Sequence, residues 1–268
     1  MSHKNVIFWP AIKNEKLSGK YGGFDYFEYS KKTWEFWCDK NNCLFVEFSN
    51  PAESDLFRYR PNWQKSIFVF DELDRRGINY DQIALMDSTT MPKWDCPNFF
   101  DLTKNKFTAW RDSDGIDWIT DSVEGYKSFF DNFELKTYNY FSSGLLVFNE
   151  SHREFFESFK KLYLDNIDTF INLQDKTVRK GNEQTPLNYW AQMKNIDINL
   201  DLSHSFKLTH MQRNSWLSHN WQLNNDPTPF FIKYGNIWVF NGFPKDQRTQ
   251  IMSQVWDAVK HLYERLGK

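Results

Sequence analysis

Long apolar runs and cysteines are scarce in this chain of 268 residues. No run of about 18 apolar residues occurs, so we expect no segment to span a membrane. The apolar stretch at positions 6–9 is also too short for a secretory signal peptide. Cys38, Cys43 and Cys96 form no CxxC pair. An odd number of cysteines in a core-rich chain predicts reduced thiols and a cytoplasmic location.

Several motifs of common ligand sites are also missing. There is no GxGxxG after a predicted strand and no GxxxxGK[ST], so ordinary dinucleotide and P-loop sites are not expected. HExxH, GxSxG and a zinc-type set of cysteines are absent as well. The 33 Lys and Arg residues against 35 Asp and Glu give a net charge of −2. This balance argues against a strongly basic nucleic-acid footprint but leaves a local basic groove open.

Aromatic residues, in contrast, are abundant and make up 19% of the chain. Together with 40% hydrophobic and 25% charged residues, they give the composition of a globular protein. A chain of this length buries about 75% of its accessible surface on folding. We therefore expect a large core in which many side chains are Phe and Trp.

The first half alternates between apolar runs and helical periodicities. The predicted order is strand 6–9, helix 25–39, strand 44–48, helix 63–73 with Gly77 as a plausible cap, and strand 83–86. This alternation predicts an α/β fold with parallel pairing and right-handed crossovers. Ligands of such sheets bind beyond the carboxyl ends of the strands. Asp87 directly follows the third strand, which makes it the first candidate functional residue.

The second half is less regular. We predict a short strand at 107–111, a helix at 122–132 with Ser122 as its N-cap, and a strand at 144–148. Two helices follow at 152–164 and 182–193. A last strand at 237–240 precedes a long amphipathic helix at 246–266. No Pro- or Gly-rich linker divides the chain, so residues 1–268 are predicted to form one domain.

Four segments, taken in their order and spacing, carry a family resemblance. They are Tyr80–Pro92, Tyr140–Asn149, Gly181–Asn188 and Ile237–Lys245. Together they resemble the nucleotide-sugar glycosyltransferases of the GT-A fold, most nearly the glycogenin-like retaining group, which has bacterial and viral relatives. The resemblance covers roughly Val6 to Gly242. It implies a Rossmann-like, mostly parallel central sheet flanked by helices. The nucleotide-binding half would be 1–105, and the acceptor-side half 106–268 would end in the C-terminal helix.

The resemblance also implies a divalent metal, Mn²⁺ or Mg²⁺, held against the donor diphosphate. In the family an Asp-x-Asp pair and a late histidine hold this ion. Asp87 matches the first carboxylate, but Thr89 stands at the second position and Val239 at that of the histidine. A hydroxyl is a poor replacement for an anionic ligand of a hard cation. The family's metal is therefore doubtful here, with Asp87 as its one matching ligand.

Three explanations of this departure stay open. In a metal-independent enzyme, protein cations would replace the metal, because arginine binds phosphate in a bidentate manner. The candidates are Arg111, Lys176, Arg179, Lys180, Lys245 and Arg248. Alternatively, the metal would recruit other ligands, such as Asp112, Asp114 or His219. Thirdly, the chain would have lost catalysis.

The resemblance further assigns residues to the donor site. Asp87, Glu183 and Gln184 are the expected catalytic residues, and the last two open a helix that faces the transferred sugar. Gly144 would let the backbone approach a ligand closely. The other expected donor-binding residues are Pro10, Ala11, Arg60, Lys65, Ser88, Thr89, Ser142, Ser143, Asn188, Asn241, Gly242 and Lys245.

The resemblance thus predicts an enzyme that moves a sugar from a nucleoside-diphosphate donor, such as a UDP-sugar, to a hydroxyl acceptor with retention. The acceptor would be a glycan, a lipid such as lipopolysaccharide or, for a viral gene, hydroxymethylated DNA. The DNA alternative requires a flipped base and a local basic groove. The rival interpretation is a non-catalytic protein that binds a sugar-nucleotide or a glycan, which Thr89 and Val239 favour.

Overall fold

Two β-sheets organise the protein. The computed structural model describes residues 4–14, 23–103, 105–112, 115–202, 210–211, 230–243 and 247–266. The larger sheet contains six strands: β1 (Lys4–Pro10), β2 (Leu44–Phe48), β3 (Tyr80–Met86), β5 (Phe107–Arg111), β6 (Phe141–Phe148) and β7 (Ile198–Asn199). The smaller sheet contains β4 (Thr90–Pro92), β8 (His210–Met211) and β9 (Ile237–Val239).

The larger sheet is mainly parallel, with the order β2-β1-β3-β6-β5-β7. β1 pairs in parallel with both β2 and β3, which confirms the predicted pairing of the first three strands. β6 runs antiparallel to β3 and β5, whereas β5 and β7 are parallel. The five strands other than β6 therefore point the same way. Because β6 is reversed, its first residues lie at the same edge as the carboxyl ends of β1, β3 and β5.

Helices cover both faces of the larger sheet. In chain order they are α1 (Phe27–Asn41), α2 (Pro61–Ile67), α3 (Val69–Arg75), α4 (Phe100–Thr103), α5 (Ile116–Lys127), α6 (Arg153–Asp165), α7 (Ile167–Asn172), α8 (Gln184–Met193), α9 (Phe230–Tyr234) and α10 (Arg248–Leu266). Short 3₁₀ turns lie at 128–130, 137–139 and 150–152, and one π-type turn at 173–177. No helix among the described residues is long and apolar enough to cross a membrane.

Two hydrophobic cores lie on opposite faces of the larger sheet. In β1, Val6 and Phe8 face one core while Ile7 and Trp9 face the other, as the two-residue period of a strand requires. The first core also includes buried residues of α2, α3 and α5 to α8. The second includes residues of α1, α4, α10 and β9. This burial on both faces explains why β1 and β3 are continuous apolar runs.

The helix predicted over 63–73 is two helices. α2 ends at Ile67 and α3 begins at Val69, because Phe68 between them leaves helical geometry with φ −119° and ψ 11°. The apolar periodicity continues across the break, so the pattern alone did not reveal it. The predicted glycine cap is confirmed: Gly77 has φ +63°, and its N–H donates to the carbonyl of Asp74 at 2.9 Å.

The helix predicted over 122–132 was wrong at both ends. α5 begins at Ile116 after Gly115, whose φ is +72°, and ends at Lys127. Ser122 is not an N-cap but lies inside the helix, fully buried. Its hydroxyl is hydrogen-bonded to that of Thr185, which also contacts the Tyr140 hydroxyl. The hydrogen bond to Thr185, and not a capping role at a helix terminus, explains why a polar residue stands at position 122.

Candidate active site

The predicted catalytic residues meet at the carboxyl edge of the larger sheet. Met86 of β3 is paired with Leu145 of β6, so Asp87 lies beside Gly144 and its N–H donates to the Gly144 carbonyl at 2.9 Å. Asp112 follows β5 at the same edge, and its N–H donates to the Tyr140 carbonyl at 3.1 Å. The sheet topology therefore gathers residues that are distant in the sequence.

A cleft of about 1160 Å³ opens at this edge. Six of the predicted donor-site residues line it, namely Pro10, Arg60, Lys65, Asp87, Ser88 and Thr89. Its wall also carries apolar and aromatic side chains, including Ile12, Phe24, Tyr26, Phe27 and Phe57. A cleft lined by apolar side chains and a few polar groups is the usual form of a small-molecule site.

Lys65 is the charged centre of the site. It is 4% exposed, and its Nζ lies 2.7 Å from Asp87 Oδ1 and 3.1 Å from Glu183 Oε1. Burial by itself disfavours the charged ammonium, but the two carboxylates outweigh burial and raise the pKa of Lys65 to about 12. Lys65 is therefore a cation that holds two carboxylates together.

Glu183 is held by three donors. Besides Lys65, Asn62 Nδ2 donates to its Oε2 at 2.7 Å, and Ser143 Oγ donates to its Oε1 at 2.7 Å. Asn62 also lines the cleft. Asn62 was not among the predicted site residues, although it stands three residues before Lys65 on α2 and so lies on the same helix face.

Gln184 extends this network toward β5. Its Oε1 accepts the Ser143 N–H at 3.1 Å, and its Nε2 donates to Asp112 Oδ2 at 2.8 Å. The two contacts fix the orientation of the amide, because the carbonyl faces a donor and the amino group faces a carboxylate. A continuous chain of polar contacts thus runs along the sheet edge. Its members are Asp87, Lys65, Glu183, Ser143, Gln184 and Asp112.

Gly144 makes a close approach, but to a different group from the one expected. A Cβ atom at this position would overlap the carboxylate of Asp87. The prediction was that the glycine makes room for a ligand, and that stays a prediction. In the structure it makes room for the Asp87 side chain, which ordinary residues at position 144 would displace.

The other predicted donor residues lie outside the cleft lining. Asn188 is fully buried, and its amide bonds both the N–H and the carbonyl of Phe141 at 2.9 Å. Ala11 continues the pairing of β1, since its N–H donates to the Phe48 carbonyl at 2.9 Å. The remaining ones are Ser142 and Ser143, both buried, and the exposed residues Asn241 and Gly242. Lys245 falls outside the described residues.

The positions that hold metal ligands in the family that the chain resembles lie close together here. Their side chains, however, are not the ones that bind a divalent metal. Val239 is paired with Thr90, and the Phe240 N–H donates to the Thr89 carbonyl at 2.8 Å. The Thr89 hydroxyl donates to Asn241 Oδ1 at 2.5 Å, and Asp87 is ion-paired with Lys65. A hydroxyl, an isopropyl group and a carboxylate bonded to an ammonium do not fit a divalent cation.

Of the three alternative metal ligands, the structure describes one. Asp112 contacts Gln184, and Asp114 and His219 fall outside the described residues. Within the described part of the chain, no group of three or more His, Cys, Asp or Glu side chains could hold a metal ion.

Cations predominate in the cleft wall although the chain as a whole has a net charge of −2. The cationic side chains are Lys13, Arg60, Lys65, Arg179 and Arg248, and the anionic ones are Asp55, Asp87 and Asp175. Arg179 and Arg248 are two of the six predicted phosphate-binding candidates. Of the others, Lys180 is paired with Asp121, Arg111 donates to the Tyr138 carbonyl, and Lys176 is not part of the cleft lining. The excess of cations suits an anionic ligand.

Comparison with known proteins shows a likeness in structure. The structure of a glycosyltransferase involved in the glycosylation of the major capsid of PBCV-1 is similar, with a TM-score of 0.52 over 94% of this chain and 99% of that chain. The shared property is the fold. Sequence identity is 10%, so the likeness extends no further than the α/β architecture. This neighbour and the strand order confirm the predicted fold class: a mainly parallel central sheet flanked by helices.

A second neighbour is more distant. The apo structure of the bifunctional glycosyltransferase WbbM aligns with a TM-score of 0.39 and 12% identity, over 90% of this chain and 46% of that chain. No protein-family model and no curated protein matches the sequence.

Proposed function

We propose that this protein is a glycosyltransferase that moves a sugar from a nucleoside diphosphate to a hydroxyl acceptor. The main support for the proposal is the cleft at the carboxyl edge of the larger sheet, where cations predominate and Asp87 and Lys65 lie in the wall. Cations suit the diphosphate of the donor, and carboxylates accept hydrogen bonds from sugar hydroxyls. The resemblance of four sequence segments to GT-A enzymes supports the same activity.

The proposed reaction exchanges one bond at the anomeric carbon for another. The bond from this carbon to the diphosphate oxygen breaks, and the nucleoside diphosphate leaves with the electron pair. The acceptor oxygen forms the new bond and loses its proton. The resemblance to the glycogenin-like group favours retention, in which the acceptor attacks from the face of the leaving group and its proton passes to a diphosphate oxygen. Because positions 87, 89 and 239 do not fit a divalent cation, the proposed reaction is metal-independent.

A panel of UDP- and GDP-sugars tests this function. We expect one donor to be hydrolysed slowly by the protein alone and transferred when an acceptor is added. Asp87→Asn should lower the rate by about 100-fold, since Asp87 lies in the cleft beside the proposed donor. Asp81→Asn is the matched control, because Asp81 is exposed near the opposite end of the same strand. Absence of both donor binding by calorimetry and donor turnover would refute the proposal.

The acceptor is proposed only as a hydroxyl compound, and its classes are distinguished by salt. Retention on hydroxymethylated DNA should weaken steeply between low and high ionic strength, because phosphate contacts release counterions. Transfer to a glycan or a lipid-linked sugar should depend weakly on salt.

A non-catalytic binding protein is the second candidate function. The departure at Thr89 and Val239 favours it, since these positions carry metal ligands in the family that the chain resembles. Thermal stabilisation by a nucleotide diphosphate without turnover of any donor and acceptor would support this candidate.

A further inference from the structure

Arg248 is a buried cation that faces the cleft. It is the first residue of α10, is 8% exposed and lines the cleft wall. Its Nε donates to the Phe240 carbonyl at 3.1 Å, and its Nη1 lies 3.5 Å from the Tyr26 hydroxyl. Its guanidinium carbon lies 5.2 Å from the centroid of the Tyr26 ring. These three contacts are with uncharged groups, and they hold the side chain in place.

Arg248 differs in this respect from the other buried cation of the cleft. Lys65 is paired with Asp87 and Glu183, and the less buried Arg60 is paired with Asp175 at 2.7 Å. No carboxylate of the described residues lies within ion-pair distance of Arg248. Within the described part of the chain, Arg248 is thus a buried charge without a counter-ion. Such a charge is costly, and an anion bound in the cleft would remove that cost.

Arg248 lines the same cleft as Asp87 and Thr89, two of the positions at which the family that the chain resembles holds its metal. Phe240 contacts both Arg248 and Thr89: its carbonyl accepts from Arg248, and its N–H donates to the Thr89 carbonyl at 2.8 Å. Val239, at the position of the family's histidine, is the preceding residue. The guanidinium, Asp87 and Thr89 therefore belong to one cleft, and Arg248 is bonded to the residue that follows Val239.

We propose that Arg248 neutralises the diphosphate of the donor in place of a divalent metal. The inference rests on the proposed function. Nε is occupied by Phe240, so the terminal amino groups supply the hydrogen bonds to the phosphate oxygens. As the sugar–oxygen bond breaks, negative charge accumulates on the leaving diphosphate, and the fixed guanidinium stabilises that charge.

Calorimetric binding of UDP and GDP tests the role of Arg248. Wild-type protein should bind one of the two with an affinity that EDTA and Mn²⁺ change by less than about twofold. Arg248→Ala and Arg248→Gln should weaken this binding by about 10- to 100-fold, as expected for loss of charge-assisted hydrogen bonds. Arg248→Lys should restore part of the loss because it keeps the charge. Lys260→Ala, an exposed cation on the same helix, should bind like wild type.

A gain-of-metal variant provides an independent readout. Adding Thr89→Asp to Arg248→Ala places a second carboxylate near Asp87, and binding should then become dependent on Mn²⁺. Circular dichroism of each variant separates loss of binding from loss of folding, and Arg248→Lys and Arg248→Gln suffice if the alanine variant does not fold. Loss of wild-type binding in EDTA, or unchanged binding by folded Arg248→Gln, would overturn the inference and leave the proposed function standing. Failure of wild-type protein to bind either diphosphate under any condition would refute both this inference and the proposed function.

Discussion

At the scale of single residues, the site depends on buried Lys65, whose positive charge balances the negative charges of Asp87 and Glu183. The Asp87 side chain is 21% exposed, whereas those of Lys65 and Glu183 are each 4% exposed. Asn62 and Ser143 supply further hydrogen bonds to Glu183, so its buried charge is surrounded by donors. Such an arrangement fixes the two carboxylates at the sheet edge, with Asp87 in the cleft wall and Glu183 buried behind it.

Replacement of this lysine should destabilise the protein strongly. Lys65→Met leaves Asp87 and Glu183 without their common cation, and we expect a loss of about 3–5 kcal/mol in the free energy of unfolding measured in urea. Lys161→Met is the control, because Lys161 pairs with Asp165 on an exposed helix face and should cost less than about 1 kcal/mol. Equal stability of the two variants would show that the buried ion pairs of Lys65 contribute no more to the free energy of unfolding than an exposed pair does.

At the scale of secondary-structure elements, the C-terminal end of α3 is tied to β2 through Arg76, which also pairs with Glu72. Glu72, with a side chain that is 6% exposed, accepts from both Arg75 and Arg76, and Arg76 also donates to the Glu47 carbonyl at 2.8 Å. Burial alone would raise the pKa of Glu72, but the two guanidinium groups outweigh burial and lower the pKa below its ordinary value of 4.5. The short helix, which begins at the break after Phe68, is thereby fixed at its C-terminal end.

This pairing predicts a pH-dependent contribution to stability. A carboxyl group with a lowered pKa in the folded state stabilises the protein at pH values above its unfolded pKa of about 4.5 and loses this effect as pH falls through the folded pKa. Glu72→Gln should therefore reduce the free energy of unfolding by about 1 kcal/mol at pH 7, with a smaller difference from wild type at pH 3. Exposed Glu124→Gln should show no such trend in urea titrations. A difference that grows toward low pH would contradict this assignment.

At the scale of the whole molecule, the sheet separates two large aromatic cores. Cys38 and Cys96 belong to one of them, at 1% and 0% exposure, whereas Cys43 is partly exposed. Burial raises the pKa of the Cys38 thiol, and it raises the pKa of Cys96 to about 12. Both thiols are thus protonated and covered in the folded protein.

Thiol accessibility should report the integrity of the core that contains Cys38 and Cys96. With Ellman's reagent at neutral pH, we expect one thiol to react in the folded state and three in denaturant, because thiolate formation and access both limit the reaction. Cys43→Ser should abolish the reaction of the folded protein with the reagent. Fast reaction of two or more thiols without denaturant would show that the core opens readily.

The alternation of strands and helices was sufficient to predict the parallel first half and to point to Asp87, because periodicity and chain order act locally. The departure of Thr89 and Val239 from the family's ligands was also visible in the residue types. The reversed direction of β6, the break at Phe68 and the bonds between residues far apart in sequence were not visible. Asn62 and Lys65 lie on α2, Ser143 on β6 and Glu183 directly before α8, and only packing brings them together. The sequence by itself thus determined the strand–helix order and the candidate residue types. The tertiary structure decided which charged side chains pair with one another, because electrostatic contacts depend on distances that the order of residues does not encode.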